Sequence, residues 1–259
     1  MNPHVICYDG PGLLSRHFYG AGKNTEAVAR NVIDVMLALR DKHKAQVAIV
    51  AWDSDRSQRR EQMPGYKGNR GPRPTAYTAL ARDFHIACNE ADLRVVQCEG
   101  WEADDVLASV ARSAFPLPSL LVSDDKDVLQ CLSVPRCKVA IPRLQYEVWD
   151  EFVFWREWHI LPEQLPEYLA LRGDPVDAIP GLPGIGDTAA SWLLGRFANA
   201  TAAFLQLAID DEHPYERVIP VKIANALRGG QAKVLAYRNL TTLNSALEIP
   251  GASKDGVPC

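Results

Sequence analysis

The chain has 259 residues, of which 47% are hydrophobic and 23% charged, enough for one large soluble domain or a core domain with a smaller one attached. No apolar run is long enough to span a bilayer, and Met1-Asn2-Pro3-His4 lacks the basic start and apolar core of a signal peptide, so a cytoplasmic location is expected. The net charge of −4 argues against nucleic acid until its distribution is read: Arg56 to Arg82 carries seven Lys/Arg against one acid, Glu61, a local +6, and the remainder is −10.

Val5–Tyr8 is a short apolar strand ending in Asp9-Gly10-Pro11-Gly12, which reads as a turn. Thr25–Leu39 has an amphipathic helical pattern, with Val28, Val32, Val35 and Leu39 on one face. Ala45–Trp52 is a buried strand ending in Asp53. Arg56–Pro74 has no clear apolar face, and Thr75–Ala91 is helical. Arg94–Cys98 is a third strand. Glu102-Ala103-Asp104-Asp105 then occupies the first turn of a helix whose apolar residues include Val106, Leu107, Val110 and Ala111. Leu120–Ser123 is a fourth strand ending in Asp124-Asp125-Lys126-Asp127, and Val139–Ile141 with Glu147–Trp149 form a short pair.

Alternating strands and helices predict an α/β fold: a mostly parallel central sheet flanked by helices, with sites beyond the carboxyl ends of its strands. From about residue 156 the pattern becomes helical and short-looped. The expected division is an α/β core over 1–155 with a basic segment near 56–82, a helical region over 156–249, and a tail over 250–259. Six cysteines are scattered without a CxxC pair. Cys7 and Cys88 read as core, and Cys131 and Cys137 as reduced thiols.

One acid in a first helical turn needs no account beyond the helix dipole. Three, with further acids after other strands, repel strongly and require positive charge to hold them. Hard divalent cations such as Mg²⁺ take oxygen ligands of this kind.

The order of landmarks resembles the 5′-nuclease family, the bacterial and phage 5′–3′ exonucleases, flap endonucleases and the nuclease domain of DNA polymerase I. They are Asp9, Asp53, Tyr66-Lys67-Gly68-Asn69-Arg70, Glu102-Ala103-Asp104-Asp105, Asp125-Lys126-Asp127, and Gly173-Asp174 through Asp177-Ala178-Ile179-Pro180-Gly181 with Gly184-Ile185-Gly186. The resemblance covers about residues 5 to 245. It implies a PIN-like core and a C-terminal helix–hairpin–helix region. It also implies metal-dependent hydrolysis of DNA near 5′ ends and branch points, as exonuclease and flap endonuclease, in replication or repair.

Carried over by position, Asp9, Asp53, Glu102 and Asp104 serve a first metal cluster. Asp125, Asp127, Asp174 and Asp177 serve a second, with Asp105 between them. Two Mg²⁺, with Mn²⁺ as a substitute, would lie roughly 4 Å apart. Part of the ligation passes through water, because Mg²⁺ dehydrates reluctantly. The basic stretch corresponds to an arch or clamp. There Lys67 and Arg70 would touch the scissile phosphate, Tyr66 would stack on a terminal base, and Arg59, Arg60 and Arg73 would contact phosphate backbone. Gly184 and Gly186 would hold a duplex phosphate on backbone N–H groups, with a K⁺ ion at the hairpin turn.

Two positions depart from the family pattern. Asp124 stands where glycine is usual, and Asp187-Thr188 stands where a lysine often follows the second glycine. Arg217, Lys222, Arg228, Lys233 and Arg238 could supply duplex binding instead. The letters after Pro183 also fit a dinucleotide fingerprint, but the prolines before them spoil the strand it needs.

A phosphatase with a strand-end aspartate nucleophile is a rival reading, weakened by Pro11 where a second acid is wanted. A catalytically weak fork-binding protein is another, with all nine acids present against it. The chain is expected to act alone, as a monomer, on branched or 5′-flap DNA.

Overall fold

The computed structural model describes residues 2–20, 27–54 and 57–249. In chain order the elements are β1 (Val5–Asp9), α1 (Gly10–Gly20), α2 (Val28–His43), β2 (Val47–Trp52), α3 (Gln58–Gln62), α4 (Thr75–Glu90), β3 (Arg94–Gln97), α5 (Ala103–Ala114) and β4 (Ser119–Val122). These are followed by β5 (Cys137–Ile141), β6 (Glu147–Trp149), α6 (Glu151–Trp158), α7 (Leu165–Arg172), α8 (Asp187–Phe197), α9 (Ala200–Glu212), α10 (Val221–Leu227) and α11 (Gln231–Thr241). Short 3₁₀ turns intervene, the longest over Lys126–Ser133.

The six strands form one sheet in the order β3-β2-β1-β4-β5-β6, parallel except for the antiparallel β5–β6 pair. Strands β1 and β4 are buried along their whole length, as continuous apolar strands covered by helices must be. Leu13, Leu14 and Phe18 of α1, Val32 and Met36 of α2, and Leu80 and Phe84 of α4 pack into one core with Ile6, Tyr8 and Val50. The Tyr8 hydroxyl meets its hydrogen-bonding need inside that core by donating to the Met36 carbonyl at 2.5 Å.

The turn expected after β1 is the start of a helix. Pro11 does not prevent this, because the N–H it lacks has no helical partner in a first turn. Asp9 caps that turn by accepting the Gly12 N–H at 2.8 Å. Gly12 is the residue that permits the contact, since a Cβ there would overlap the Asp9 carboxylate. The Thr25 start expected for α2, the Arg56 start of the basic stretch and the Pro250–Cys259 tail lie outside the described residues.

The chain forms two compact units, neither of them continuous in sequence. One comprises residues 1–58, 71–150 and 243–259; the other comprises 59–70 and 151–242. This division cuts the basic stretch in two: Arg59–Arg70 belongs with the helical unit, and Gly71–Arg82 with the sheet unit. Within the helical unit, Tyr66, Ile179 and Leu240 share a small core with Met63 and Tyr237. No helix among the described residues is long and apolar enough to cross a membrane.

Candidate metal centre and nucleic-acid interface

In the sheet unit the acids gather at the carboxyl edge, as the parallel order requires. Asp9 ends β1, and Asp53 follows β2. Glu102 caps α5 after β3, and Asp125 caps the 3₁₀ turn after β4. The Asp9 carboxylate also accepts the Ser123 hydroxyl at 2.8 Å. Ser123 Oγ in turn accepts the Asp125 N–H at 3.0 Å, and Asp125 Oδ1 accepts the Asp127 N–H at 2.9 Å. Asp127 is buried, with the Lys126 ammonium 3.8 Å from its carboxylate.

Burial pushes the Asp9 carboxyl up to about 6, and the neighbouring charges of Asp53 and Asp125 add to the rise, against the lowering effect of its two hydrogen bonds. A site of hard oxygen donors in which a buried acid resists ionisation is one that a divalent cation relieves. The residues present therefore fit Mg²⁺ or a similar ion.

Asp53 Oδ1 accepts the Ala103 N–H at 3.0 Å, and Oδ2 pairs with Arg73 at 3.0 Å. Arg73 also lies 5.1 Å over the Tyr77 ring. Its guanidinium, half exposed, balances the charge of Asp53. Glu102 accepts the Ser57 hydroxyl at 3.3 Å, and Asp104 sits half-buried in the first turn of α5.

Asp105 differs from the others. It is fully buried, with one oxygen accepting the Asn244 N–H at 2.8 Å and the other the Glu102 N–H at 3.2 Å. It completes the capping box of α5 and anchors the segment after α11. The returning segment had no signature in the sequence. Leu243 N donates to Gln130 Oε1 and Leu247 N to Ser109 Oγ.

The negative charge at Asp124 is already answered. Its carboxylate pairs with Arg16 at 3.1 Å and accepts the Arg143 N–H at 2.6 Å. The buried thiols Cys7, Cys88, Cys131 and Cys137 are free and all pushed up by burial, which suits reduced core residues.

In the helical unit the loop between α7 and α8 carries Asp174 and Asp177, both buried. Asp174 and Ile179 exchange backbone hydrogen bonds at 2.8 Å in each direction, which closes the loop. Gly173 (φ +94°) and Gly181 (φ +67°) supply the left-handed turns at its ends. The Tyr66–Arg70 motif grips this loop. Tyr66 OH donates to Asp177 Oδ2 at 3.3 Å, Arg70 to Oδ1 at 2.8 Å, Lys67 N to the Asp177 carbonyl at 3.1 Å, and Asn69 to the Pro175 carbonyl at 2.9 Å.

Two expectations for the basic stretch are corrected. Tyr66 is 3% exposed in its apolar cluster, so its ring has no face for a terminal base. Arg59 is 5% exposed, and its guanidinium donates to the carbonyls of Leu240 at 2.8 Å and Thr242 at 3.0 Å. It caps the end of α11 instead of contacting DNA. Arg60 is exposed. Lys67 is buried, with its ammonium 5.0 Å from the Tyr66 ring centroid.

At the hairpin, buried Leu182 and Ile185 anchor a turn that leaves Gly184 (φ +90°) and Gly186 exposed, and Gly186 caps α8. Asp187 pairs with Arg172 and accepts the Tyr168 hydroxyl at 2.8 Å. Among the later basic residues, Arg217 and Arg228 pair with Asp211 and Arg238 with Glu167. Two carboxylates thus offset part of the charge expected there for duplex binding.

Two family models match the chain: the 5′-3′ exonuclease N-terminal resolvase-like domain over residues 4–158, and the 5′-3′ exonuclease C-terminal SAM fold over residues 160–257. The chain belongs to the 5′-3′ exonuclease family. The 5′-3′ exonuclease of Halalkalibacterium halodurans is 28% identical over 266 residues, covering 95% of this chain and 86% of its own. DNA polymerase I of Mycobacterium bovis is 29% identical over 256 residues, 93% of this chain and 27% of the polymerase. The chain thus spans about a quarter of the length of the polymerase relatives it matches.

Among solved structures, phage T5 5′-exonuclease with bound divalent zinc aligns with a TM-score of 0.73 at 22% identity, over 93% of this chain and 90% of that one. The catalytic core of Rad2 in complex with DNA substrate aligns at 0.63 and 10% identity, over 100% and 84%. These likenesses establish that the family fold, a mostly parallel sheet core with a helical C-terminal part, is the fold of this chain.

Proposed function

We propose that this chain is a divalent-metal-dependent nuclease that hydrolyses DNA phosphodiesters at or near 5′ ends, as 5′–3′ exonuclease and flap endonuclease. The observation that carries the reading is the gathering of Asp9, Asp53, Glu102 and Asp125 at one sheet edge, in a chain of the 5′-3′ exonuclease family.

Asp9, Asp53, Glu102, Asp104, Asp105, Asp125 and Asp127 are the proposed metal ligands of the sheet unit, and Asp174 and Asp177 keep that role within the helical unit. Mg²⁺ bound by such carboxylates would supply the positive charge that brings a phosphodiester to them and favours attack by water. The chain's own residues supply the rest. Ser123 and Gly12 fix the Asp9 carboxylate by hydrogen bonds, and the Ala103 N–H fixes Asp53. Arg70, half in solvent, and Lys67 offer charge to a phosphate in transit. Arg60 and Arg73 add backbone attraction, and the exposed Gly184–Gly186 turn is a docking point for a duplex phosphate, with K⁺ as the proposed ion there. Action as a cytoplasmic monomer, and use of Mn²⁺ in place of Mg²⁺, belong to the same proposal.

The test is cleavage of an end-labelled 5′-flap duplex with Mg²⁺ and with chelator. Short products released from the 5′ side only with Mg²⁺ support the reading, and their lengths separate exonuclease from flap cleavage. Tight flap binding without cleavage in either condition would replace it with a fork-binding role.

A further inference from the structure

Ser123 follows β4 directly, and the parallel register that pairs Tyr8 with Val122 carries it alongside Asp9 at the end of β1. It is 1% exposed, so no bulk water can stand in for its hydroxyl. Its Oγ lies 2.8 Å from Asp9 Oδ2 and 3.0 Å from the Asp125 backbone nitrogen. An amide N–H can only donate, so Oγ accepts from Asp125, and its single proton is left for Asp9. The direction of both bonds follows from that. The chain of contacts then continues, because Asp125 Oδ1 accepts the Asp127 N–H at 2.9 Å.

We propose that Ser123 is a positioning residue shared by the two proposed metal sites. Its O–H orients the Asp9 carboxylate of the first, and its oxygen holds the Asp125 backbone of the second. The inference rests on the nuclease reading above. Each Asp9 oxygen takes one protein donor, Gly12 N–H on Oδ1 and Ser123 on Oδ2, and keeps a further lone pair for a cation. Asp125 commits Oδ1 to Asp127 and presents Oδ2, which has no protein donor among the described residues. Both carboxylates are therefore held in place before an ion arrives, which lowers the ordering cost of binding. Alanine at position 123 has no atom to replace either bond, whereas threonine keeps the hydroxyl.

Mn²⁺ binding to the full chain without DNA, read from the electron paramagnetic resonance of the free ion, tests this independently of cleavage. Ser123→Ala is expected to weaken binding about tenfold, the lower end of what loss of a ligand's hydrogen-bond partner does to a metal site. Ser123→Thr is expected to restore it. Ser109→Ala is the control. That buried hydroxyl also donates one bond and accepts another, to the Asn244 carbonyl and from the Leu247 N–H, so its loss should lower the melting temperature and leave the isotherm unchanged. Two backgrounds separate the sites: Asp9→Asn cripples the first and Asp125→Asn the second. In each, Ser123→Ala is expected to weaken the remaining ion about fivefold or more.

Weakening in only one background overturns the shared role and confines Ser123 to that site. A Ser123→Ala isotherm equal to that of Ser109→Ala, with a lowered melting temperature, shows a purely structural hydroxyl; it overturns the inference and leaves the nuclease reading standing. Absence of Mn²⁺ binding by wild type overturns both. Thermal melts in chelator confirm that each variant is folded.

Discussion

Arg70 and Asp177 form an ion pair of 2.8 Å in which the carboxylate side chain is 5% exposed and the guanidinium 45%. One partner is thus committed to the fold while the other faces water. Removing the arginine takes a charged donor from a buried carboxylate that keeps the longer contact from Tyr66. Arg70→Ala should lower stability by about 1–2 kcal/mol, below the usual cost of breaking a fully buried pair because water screens the exposed side. A double-mutant cycle with Asp177→Asn, read by thermal melting, should give a coupling above about 0.5 kcal/mol. Additive effects would show the pair to be incidental.

Asp9 predicts a pH dependence of the metal-free protein. Its carboxyl is raised to about 6 in the fold, from an ordinary value of 3.8. Below both values it is protonated in either state and costs nothing. As pH rises from about 4 to about 6 the unfolded chain ionises first, and above that range the folded state carries the full penalty, on the order of 3 kcal/mol. In chelator, thermal stability should fall over this window, and Mg²⁺ should add more stability at pH 8 than at pH 5. Asp9→Asn should abolish cleavage yet raise the melting temperature of the metal-free protein at pH 8. A lower melting temperature for that variant would contradict the assignment.

Arg59 and Arg60 are neighbours with opposite fates. Arg59→Ala leaves carbonyls of Leu240 and Thr242 without their donor and opens space in a buried site, so a loss of about 2–4 kcal/mol is expected. Arg60→Ala should leave the melting temperature within about 0.5 kcal/mol of wild type and reduce the salt slope of DNA binding by about one. Exchange of these two outcomes would show that the burial pattern is wrong.

Gly181 is a third point of control. An alanine Cβ there would lie 2.5 Å from the Arg172 carbonyl carbon at φ +67°, so both packing and backbone oppose it. Gly181→Ala should cost more than about 2 kcal/mol and displace the loop that carries Asp174 and Asp177. Urea denaturation measures the first effect. Retention of full Mg²⁺-dependent activity would argue against the role given to that loop.

The sheet, its parallel order and the acids at its edge were legible because buried strands are continuous apolar runs and their ends are marked by Asp9, Asp53, Glu102 and Asp125. Helix α1 was not, because Gly10-Pro11-Gly12 carries turn residues, and only the Asp9 contact with Gly12 shows why glycine and proline suit a helix start. Charge alone could not tell Arg59 from Arg60. Which of two adjacent arginines turns inward depends on carbonyls some 180 residues away in sequence. The anchoring part played by Asp105 was hidden for the same reason: one of its donors, the Asn244 N–H, arrives from the far end of the chain.

The chain passes between its two compact units four times, at residues 58–59, 70–71, 150–151 and 242–243. A fragment stopping at the end of the first family match would therefore lose the strap from Leu243 onward. It would take the Asn244, Leu247 and Leu243 N–H groups from Asp105 Oδ1, Ser109 Oγ and Gln130 Oε1. Splitting the protein at one peptide bond cannot yield both units intact. A fusion or truncation that preserves the sheet unit must therefore carry the stretch from Val5 to Leu247 as a single cassette.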